Sequence, residues 1–279
     1  MSQTEVQLVT DSASDLPEDV LKEYGITCVP LTVTVGDETF PDGAVSPEEF
    51  IEIMKTSPEL PRTSQPSPGA FLEVFERLAP RGPILCMTIS EKLSGTIGAA
   101  KIARDMLPDA DIHLFDTLAA TAGEGAEVLR AAQLLREGMA LPDVLEYLEK
   151  YRDSVKVYQG FLDLSNLVKG GRLSRLGGTL AGILNIRVVC HNVEGAIEVL
   201  EKVRGTERLF QRLLELVMEQ SRAVDIKDRV VMITHVGNVE RAEWLAEKVR
   251  ELGPREVLVA PAGAVIATYA GPGTVLISV

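Results

Sequence analysis

Pro83-Ile84-Leu85-Cys86-Met87-Thr88-Ile89 runs directly into Ser90-Glu91-Lys92-Leu93-Ser94-Gly95-Thr96. The first seven residues form an apolar run without alternation, the mark of a parallel strand buried on both faces. The next seven turn polar and lead into a helical pattern from Gly95 to Met106, with Ser94 placed to cap it. Strand, polar turn and helix make the βα unit of an open α/β sheet, where ligands sit beyond the carboxyl ends of the strands. Backbone N–H groups at a helix start favour an anion there. Ser and Thr hydroxyls add hydrogen-bond donors without adding charge.

A second hydroxyl-rich stretch lies upstream, Arg62-Thr63-Ser64-Gln65-Pro66-Ser67-Pro68, ahead of the amphipathic pattern Phe71, Leu72, Phe75 and Leu78. Taken singly, Ser94 caps its helix and Thr63-Ser64 cap the next one. Taken together, the two stretches read as a seat for a carboxylate or a phosphate.

The same alternation extends outward in both directions. Val6 to Thr10 reads as a first strand, entering Asp11-Ser12-Ala13-Ser14-Asp15-Leu16-Pro17 and a helix to Tyr24. Asp11, at that strand's carboxyl end, has an Asx-turn as its plainest role. Ile26 to Val35 gives one or two strands broken at Pro30, and Ser46-Pro47-Glu48-Glu49 opens a helix with a capping-box pattern. Asp111 to Thr117 is a strand, followed by a long Ala-rich helix from Ala119 to Glu137. Gly123 and Gly125 in its first turns point to a close neighbour. A helix from Leu141 to Tyr151 and a strand from Val155 to Phe161 continue a parallel sheet covered on both faces.

Beyond residue 160 the character changes. Lys169-Gly170-Gly171-Arg172-Leu173 precedes a small-residue helix from Gly178 to Leu184. Strands at 188–190, 196–203, 230–234 and 257–260 then alternate with helices at 207–221 and 239–252, and a last strand spans 274–279. The division expected is a parallel α/β domain over 1–159 and a smaller mixed-sheet α/β domain over 160–279.

Apolar residues make up 46% of the 279-residue chain, enough for a sizeable core. A net charge of −13 argues against nucleic acid and anionic membrane surfaces as partners. No apolar stretch reaches the roughly 18 residues of a membrane span. The opening residues lack the basic and apolar blocks of a signal peptide. Cys28, Cys86 and Cys190 lie far apart in apolar runs, as buried thiols do, so a reducing cytoplasm is the expected compartment.

Candidates for chemistry are few. His113, His191 and His235 have no partner at metal-ligand spacing, so no metal site is expected. There is no Walker P-loop and no G-x-S-x-G elbow. His235, at a strand end, is the only weak candidate base for a Ser nucleophile. Lys169, Arg172 and Arg175 form a basic cluster in an acidic chain, suited to a phosphorylated ligand or an acidic partner.

Five ordered motifs now stand together: Thr10-Asp11-Ser12-Ala13-Ser14-Asp15-Leu16-Pro17, Thr63-Ser64-Gln65-Pro66-Ser67-Pro68, Leu93-Ser94-Gly95-Thr96, Lys169-Gly170-Gly171-Arg172 and Gly271-Pro272-Gly273. Spread over the whole chain, they resemble the DegV family. The resemblance implies a two-domain DegV-like α/β fold with a mostly parallel three-layer α/β/α domain. It also implies an apolar pocket between the domains that holds a long-chain fatty acid. The carboxylate is expected on Thr63 and Ser94, with Ser64, Gly95, Thr96 and Tyr269 as secondary contacts. Lys169, Arg172 and Arg175 are expected to face a partner. The resemblance further implies a subunit without catalytic residues, cofactor or metal, presenting the acyl carboxylate to a separate ATP-binding fatty-acid kinase subunit.

Four positions depart from the family pattern. Glu91 stands where Ser is usual, Ile97-Gly98 replaces Tyr-Gln, Arg187-Val188 replaces Lys-Pro, and Tyr269 takes the place of a His before Gly-Pro-Gly. The last touches the carboxylate end. Two other readings stay open on sequence alone. One is a hydrolase or acyltransferase using Ser94 or Ser64 as nucleophile; the other is a carrier of a different apolar acid, such as an isoprenoid or sterol acid.

Overall fold

The computed structural model describes residues 5–175 and 186–279, so the helix expected from Gly178 to Leu184 lies outside the described residues. In chain order the first part comprises β1 (Gln7–Asp11), α1 (Glu18–Tyr24), β2 (Thr27–Val29), β3 (Thr32–Val35), β4 (Glu38–Pro41), α2 (Pro47–Thr56) and β5 (Arg62–Ser64). It continues with α3 (Pro68–Leu78), β6 (Ile84–Thr88), α4 (Thr96–Asp105), β7 (Ile112–Asp116), α5 (Ala122–Arg136) and α6 (Leu141–Ser154). Then follow β8 (Val157–Phe161), α7 (Ser165–Lys169), β9 (Leu173–Arg175), β10 (Ile186–Val193), β11 (Ala196–Arg204) and α8 (Thr206–Gln220). The chain closes with β12 (Val230–His235), α9 (Val239–Arg250), β13 (Glu256–Pro261), α10 (Ala264–Ala270) and β14 (Val275–Ser278).

β2, β1, β6 and β7 form an all-parallel sheet in that order. Period-two alternation assigns its faces. Leu85 and Met87 of β6 pack toward α5, while Ile84 and Cys86 pack against α3 and α4. Burial on both faces makes the strand read as one apolar run. A second, mixed sheet has the order β13-β12-β14-β8-β10-β11-β9. Its outer face carries α8 and α9, through Leu213, Val217, Leu245 and Val249 against Val231, Ile233 and Ile277.

α5 lies between the two sheets. Every residue from Ala122 to Leu134 is buried, with Val128, Leu129 and Ala132 in one core with Leu85 of the parallel sheet and Met232 of the mixed one. The glycines at its start permit this approach: a Cβ at Gly125 would stand 2.5 Å from the Ser14 carbonyl oxygen, and one at Gly123 would stand 2.5 Å from Val157.

Three expectations change. β8 joins the mixed sheet, antiparallel to both β10 and β14, rather than continuing the parallel series. A doubly buried strand looks alike in either direction. The long helix starts at Ala122 rather than Ala119, because Leu118 and Thr121 hold φ of 50° and 52°, outside the helical region. The segment around Pro30 splits into β2, in the parallel sheet, and β3, at the centre of a small antiparallel sheet β4-β3-β5. Among the described residues no helix is long and apolar enough to cross a membrane.

Candidate functional site

Beyond the carboxyl end of β6, between α10 and the inner face of the mixed sheet, lies a cavity of about 320 Å3. This is near the lower end of the range for small-molecule sites. Ile89, Leu93, Phe161, Val265, Ile266 and Leu276 make most of its wall apolar. Among the described residues its one charged lining side chain is Arg172, a cation.

The polar groups gather at the half-buried mouth. Thr63 is fixed by the pairing of β5 with β3, where it stands opposite Val33. Its Oγ1 lies 2.6 Å from Tyr269 Oη. The Tyr269 ring lies against Gly170, occupying the space where any Cβ would project. Gly171 turns the chain at φ +72°, and the Arg172 guanidinium sits 4.7 Å from the centre of the Tyr269 ring. Arg172 Nη1 donates to the Gly170 carbonyl at 2.6 Å and Nε donates to the Leu93 carbonyl at 3.4 Å. The Lys-Gly-Gly-Arg motif is thus a mount for Tyr269 and a tie to the Leu93-Ser94 loop.

Ser94 is not the cap of α4. Leu93 and Ser94 both donate their N–H groups to the Ser90 carbonyl, so a turn precedes the helix and Gly95 holds the cap position. The Ser94 hydroxyl instead lies 2.9 Å from Thr96 Oγ1. Nor do Thr63 and Ser64 cap α3; Ser67 does, accepting from the Ala70 N–H at 3.2 Å. The Gln65 side chain crosses Gly95 where a Cβ would stand, which seats one hydroxyl stretch on the other. Ser64 and Gly95 belong to the lining, whereas Thr96 is fully buried and lies outside it.

The expected partner-facing cluster divides. Arg172 belongs to the cavity mouth, Lys169 is exposed and outside the lining, and the side chain of Arg175 lies outside what is described. Sequence reading placed Arg172 on the surface because its partners, Tyr269 and Leu93, are remote in the chain.

Buried acids hold the walls in place. Asp11 accepts from the N–H groups of Ala13 and Ile89, each at 2.9 Å, so its Asx-turn also anchors the loop after β6. Burial raises its carboxyl to about 7. Asp15 accepts from Gly263 N–H at 2.8 Å and Asp42 from Ala264 N–H at 2.8 Å, fixing the start of α10. Burial lifts both carboxyls above their ordinary value.

The remaining departures are structural or superficial. Arg187 donates to the Leu162 carbonyl at 3.0 Å and to Thr206 Oγ1 at 3.3 Å. Glu91 is exposed, and a Cβ at Gly98 would meet open space. His235 accepts from Asn238 N–H through Nδ1 at 3.3 Å, burial lowers its pKa, and it does not line the cavity. Among the described residues no histidine or carboxylate lines the cavity, so neither Ser64 nor Ser94 has a base beside it there. The described residues contain no group of three His, Cys, Asp or Glu side chains able to hold a metal.

Gln159 is a buried polar lining residue that the sequence does not single out. At the centre of the otherwise apolar β8, it is 4% exposed and faces the cavity. The only signal was an amide in the middle of a buried strand.

The model of the DegV family, described as that of an uncharacterised protein, matches residues 5–279. A DegV domain-containing protein of Caldanaerobacter subterraneus is 33% identical over 270 residues, covering 96% of this chain and 95% of the relative. A DegV family protein of Thermus thermophilus, solved for its fatty acid binding, is 33% identical with a TM-score of 0.89 over 98% of each chain. Another, from Eubacterium eligens and loaded with heptadecanoic acid, is 26% identical with a TM-score of 0.85, again over 98% of each chain. With one family model spanning nearly its whole length and full-length relatives at a third identity, this chain belongs to the DegV family.

Proposed function

We propose that this protein binds a long-chain fatty acid in the cavity and presents its carboxylate to a separate ATP-binding kinase subunit. That subunit transfers the terminal phosphoryl group of ATP to a carboxylate oxygen, giving acyl phosphate and ADP. The observation that carries the reading is the proton count at the mouth. Four hydroxyls stand in two pairs, Thr63 with Tyr269 and Ser94 with Thr96. In the free protein each pair uses one proton internally and leaves one to donate. At least two protons are therefore available to two carboxylate oxygens, beside Arg172, the one cation of the lining among the described residues.

The apolar wall supplies the rest. Each buried methylene contributes about 0.8 kcal/mol, so a chain of about sixteen carbons contributes on the order of 10 kcal/mol before ordering costs. A carboxylate left bare in such a wall would cost several kcal/mol, so the polar seat belongs at one end only. Among the described residues the lining offers no general base, which supports a carrier rather than a hydrolase.

Mass spectrometry of lipid released from the purified protein should find near-equimolar long-chain fatty acid. Thr63→Ala with Ser94→Ala should weaken binding by about 2–4 kcal/mol, each charge-assisted bond being worth about 1.5–3 kcal/mol. Stability without ligand should fall by only about 1 kcal/mol. No lipid and no uptake of added fatty acid would refute the reading. Acyl phosphate should form only when a kinase subunit is added, and Lys169→Glu, exposed and outside the lining, should slow that step and leave lipid binding unchanged.

A further inference from the structure

Among the described residues of the cavity lining, Gln159 is a buried polar side chain that the carboxylate seat does not use and whose carbonyl oxygen is unpartnered. Gln159 stands mid-sheet, opposite Leu276 of β14 and Cys190 of β10. Its neighbours on the same face of β8, Val157 and Phe161, are both buried and apolar. At 4% exposure Gln159 lies far deeper than Thr63 or Ser94, which are half-buried at the mouth. Its Oε1 is buried without a hydrogen-bond partner among the described residues. Thr121, another buried polar residue of the lining, is already engaged: its Oγ1 lies 2.6 Å from both Asp15 Oδ2 and Thr234 Oγ1. Buried amides are nearly always paired, and one left unpaired inside a ligand cavity calls for a partner on the ligand.

We propose that the cavity is built for an acyl chain carrying a hydroxyl group on its buried part, which Gln159 hydrogen-bonds. The inference rests on the fatty-acid reading above and names the class of acid within it. The unpaired atom is an acceptor, so the ligand must bring a donor, and a plain hydrocarbon chain brings none. A hydroxyl donates and accepts at once, so it satisfies the amide whichever way its oxygen and nitrogen are turned. With the carboxylate held at the mouth by Thr63 and Ser94, Gln159 selects hydroxyl position along the chain as well as hydroxyl presence.

The test is calorimetric titration of lipid-stripped full-length protein with octadecanoic acid, a set of octadecanoic acids hydroxylated at successive mid-chain carbons, and the cis-unsaturated acid of the same length. Wild type should bind one hydroxylated acid about tenfold more tightly than the parent acid. Gln159→Leu should reverse that order and bind the parent at least as well as wild type does. Should Gln159→Leu fail to fold, Gln159→Met and the wild-type series decide the question. If the parent binds and every hydroxylated acid binds no better, the amide is serving only an ordered water and the proposal falls while the fatty-acid reading stands. An equal gain from the cis-unsaturated acid would mean that the wall reads chain shape, which also overturns the proposal. Failure of every acid to bind would overturn the underlying reading and this one with it.

Discussion

Replacing Tyr269 with Phe removes one oxygen and keeps the ring that packs against Gly170 and beside the Arg172 guanidinium. The oxygen lost is the one 2.6 Å from Thr63 Oγ1. In the free protein this deletes a neutral, half-exposed hydrogen bond, worth about 1 kcal/mol or less. A bound carboxylate, as the stronger acceptor, draws both hydroxyl protons away from their mutual bond. Phe then leaves one donor where there were two. The variant loses a charge-assisted bond worth about 1.5–3 kcal/mol but no longer breaks the neutral one on binding, a net loss of about 1–2 kcal/mol. Fatty-acid affinity should therefore fall roughly five- to thirtyfold, measured by calorimetry, while the denaturant midpoint of the lipid-free protein barely moves. Tyr269→His supplies a complementary measurement. A histidine here, with an ordinary pKa near 6.5, becomes charged as pH falls, and a neighbouring carboxylate raises that pKa. Its affinity should rise toward the acidic side by up to about 1.4 kcal/mol for each unit of that increase, against a flat wild-type profile between about pH 8 and pH 6. Unchanged affinity in Tyr269→Phe, together with a flat profile in Tyr269→His, would show that the ligand's head group does not meet this position.

Two further outcomes follow from the packing and the buried charges. Gly125→Ala places a methyl against the Ser14 carbonyl and Met232, so it should lower stability by about 1–3 kcal/mol in urea unfolding, whereas an unchanged midpoint would mean that α5 does not approach the β1 loop so closely. Asp11, raised to about 7 by burial, and Asp15, Glu124 and Glu127, raised by the same cause, keep protons in the folded state that the unfolded chain releases. That stability is complete below the ordinary carboxylate range and is lost as pH rises above it, for Asp11 through about 7, with a slope of up to about 1.4 kcal/mol per pH unit per group. Asp11→Asn should remove one share of the slope, and stability that rises with pH over this range would contradict the assignment.

The local signals in the sequence held where local physics decides. The apolar run at Ile84–Thr88 is a doubly buried parallel strand, and Ser46 caps α2 by accepting from Glu49 N–H. The pairing of Thr63 with Tyr269 was not legible, because β5 is three residues long and its register is set by β3 from a distant part of the chain. Ser94 misled because a cap needs an extended backbone, and the turn closed by the Ser90 carbonyl removes it. Arg172 looked like surface charge until the fold brought Leu93 and Tyr269 to it. Gln159 shows the same limit from inside the core. A single amide says nothing about burial until the strands on either side of it are known.

α5, gripped along its length by both sheets, fills the space where a two-part molecule would otherwise bend. Neither sheet can swing without stripping a helix whose residues from Ala122 to Leu134 are all buried. Traffic through the cavity therefore falls to its rim: the edge strand β5, the turn after Ile89, and the ring of Tyr269 on the seven-residue α10. On the proposed reading, loading and release then call for side chains at this rim to rotate while the two sheets stay fixed on α5. The residues that seat the carboxylate on that reading also decide how long the ligand stays.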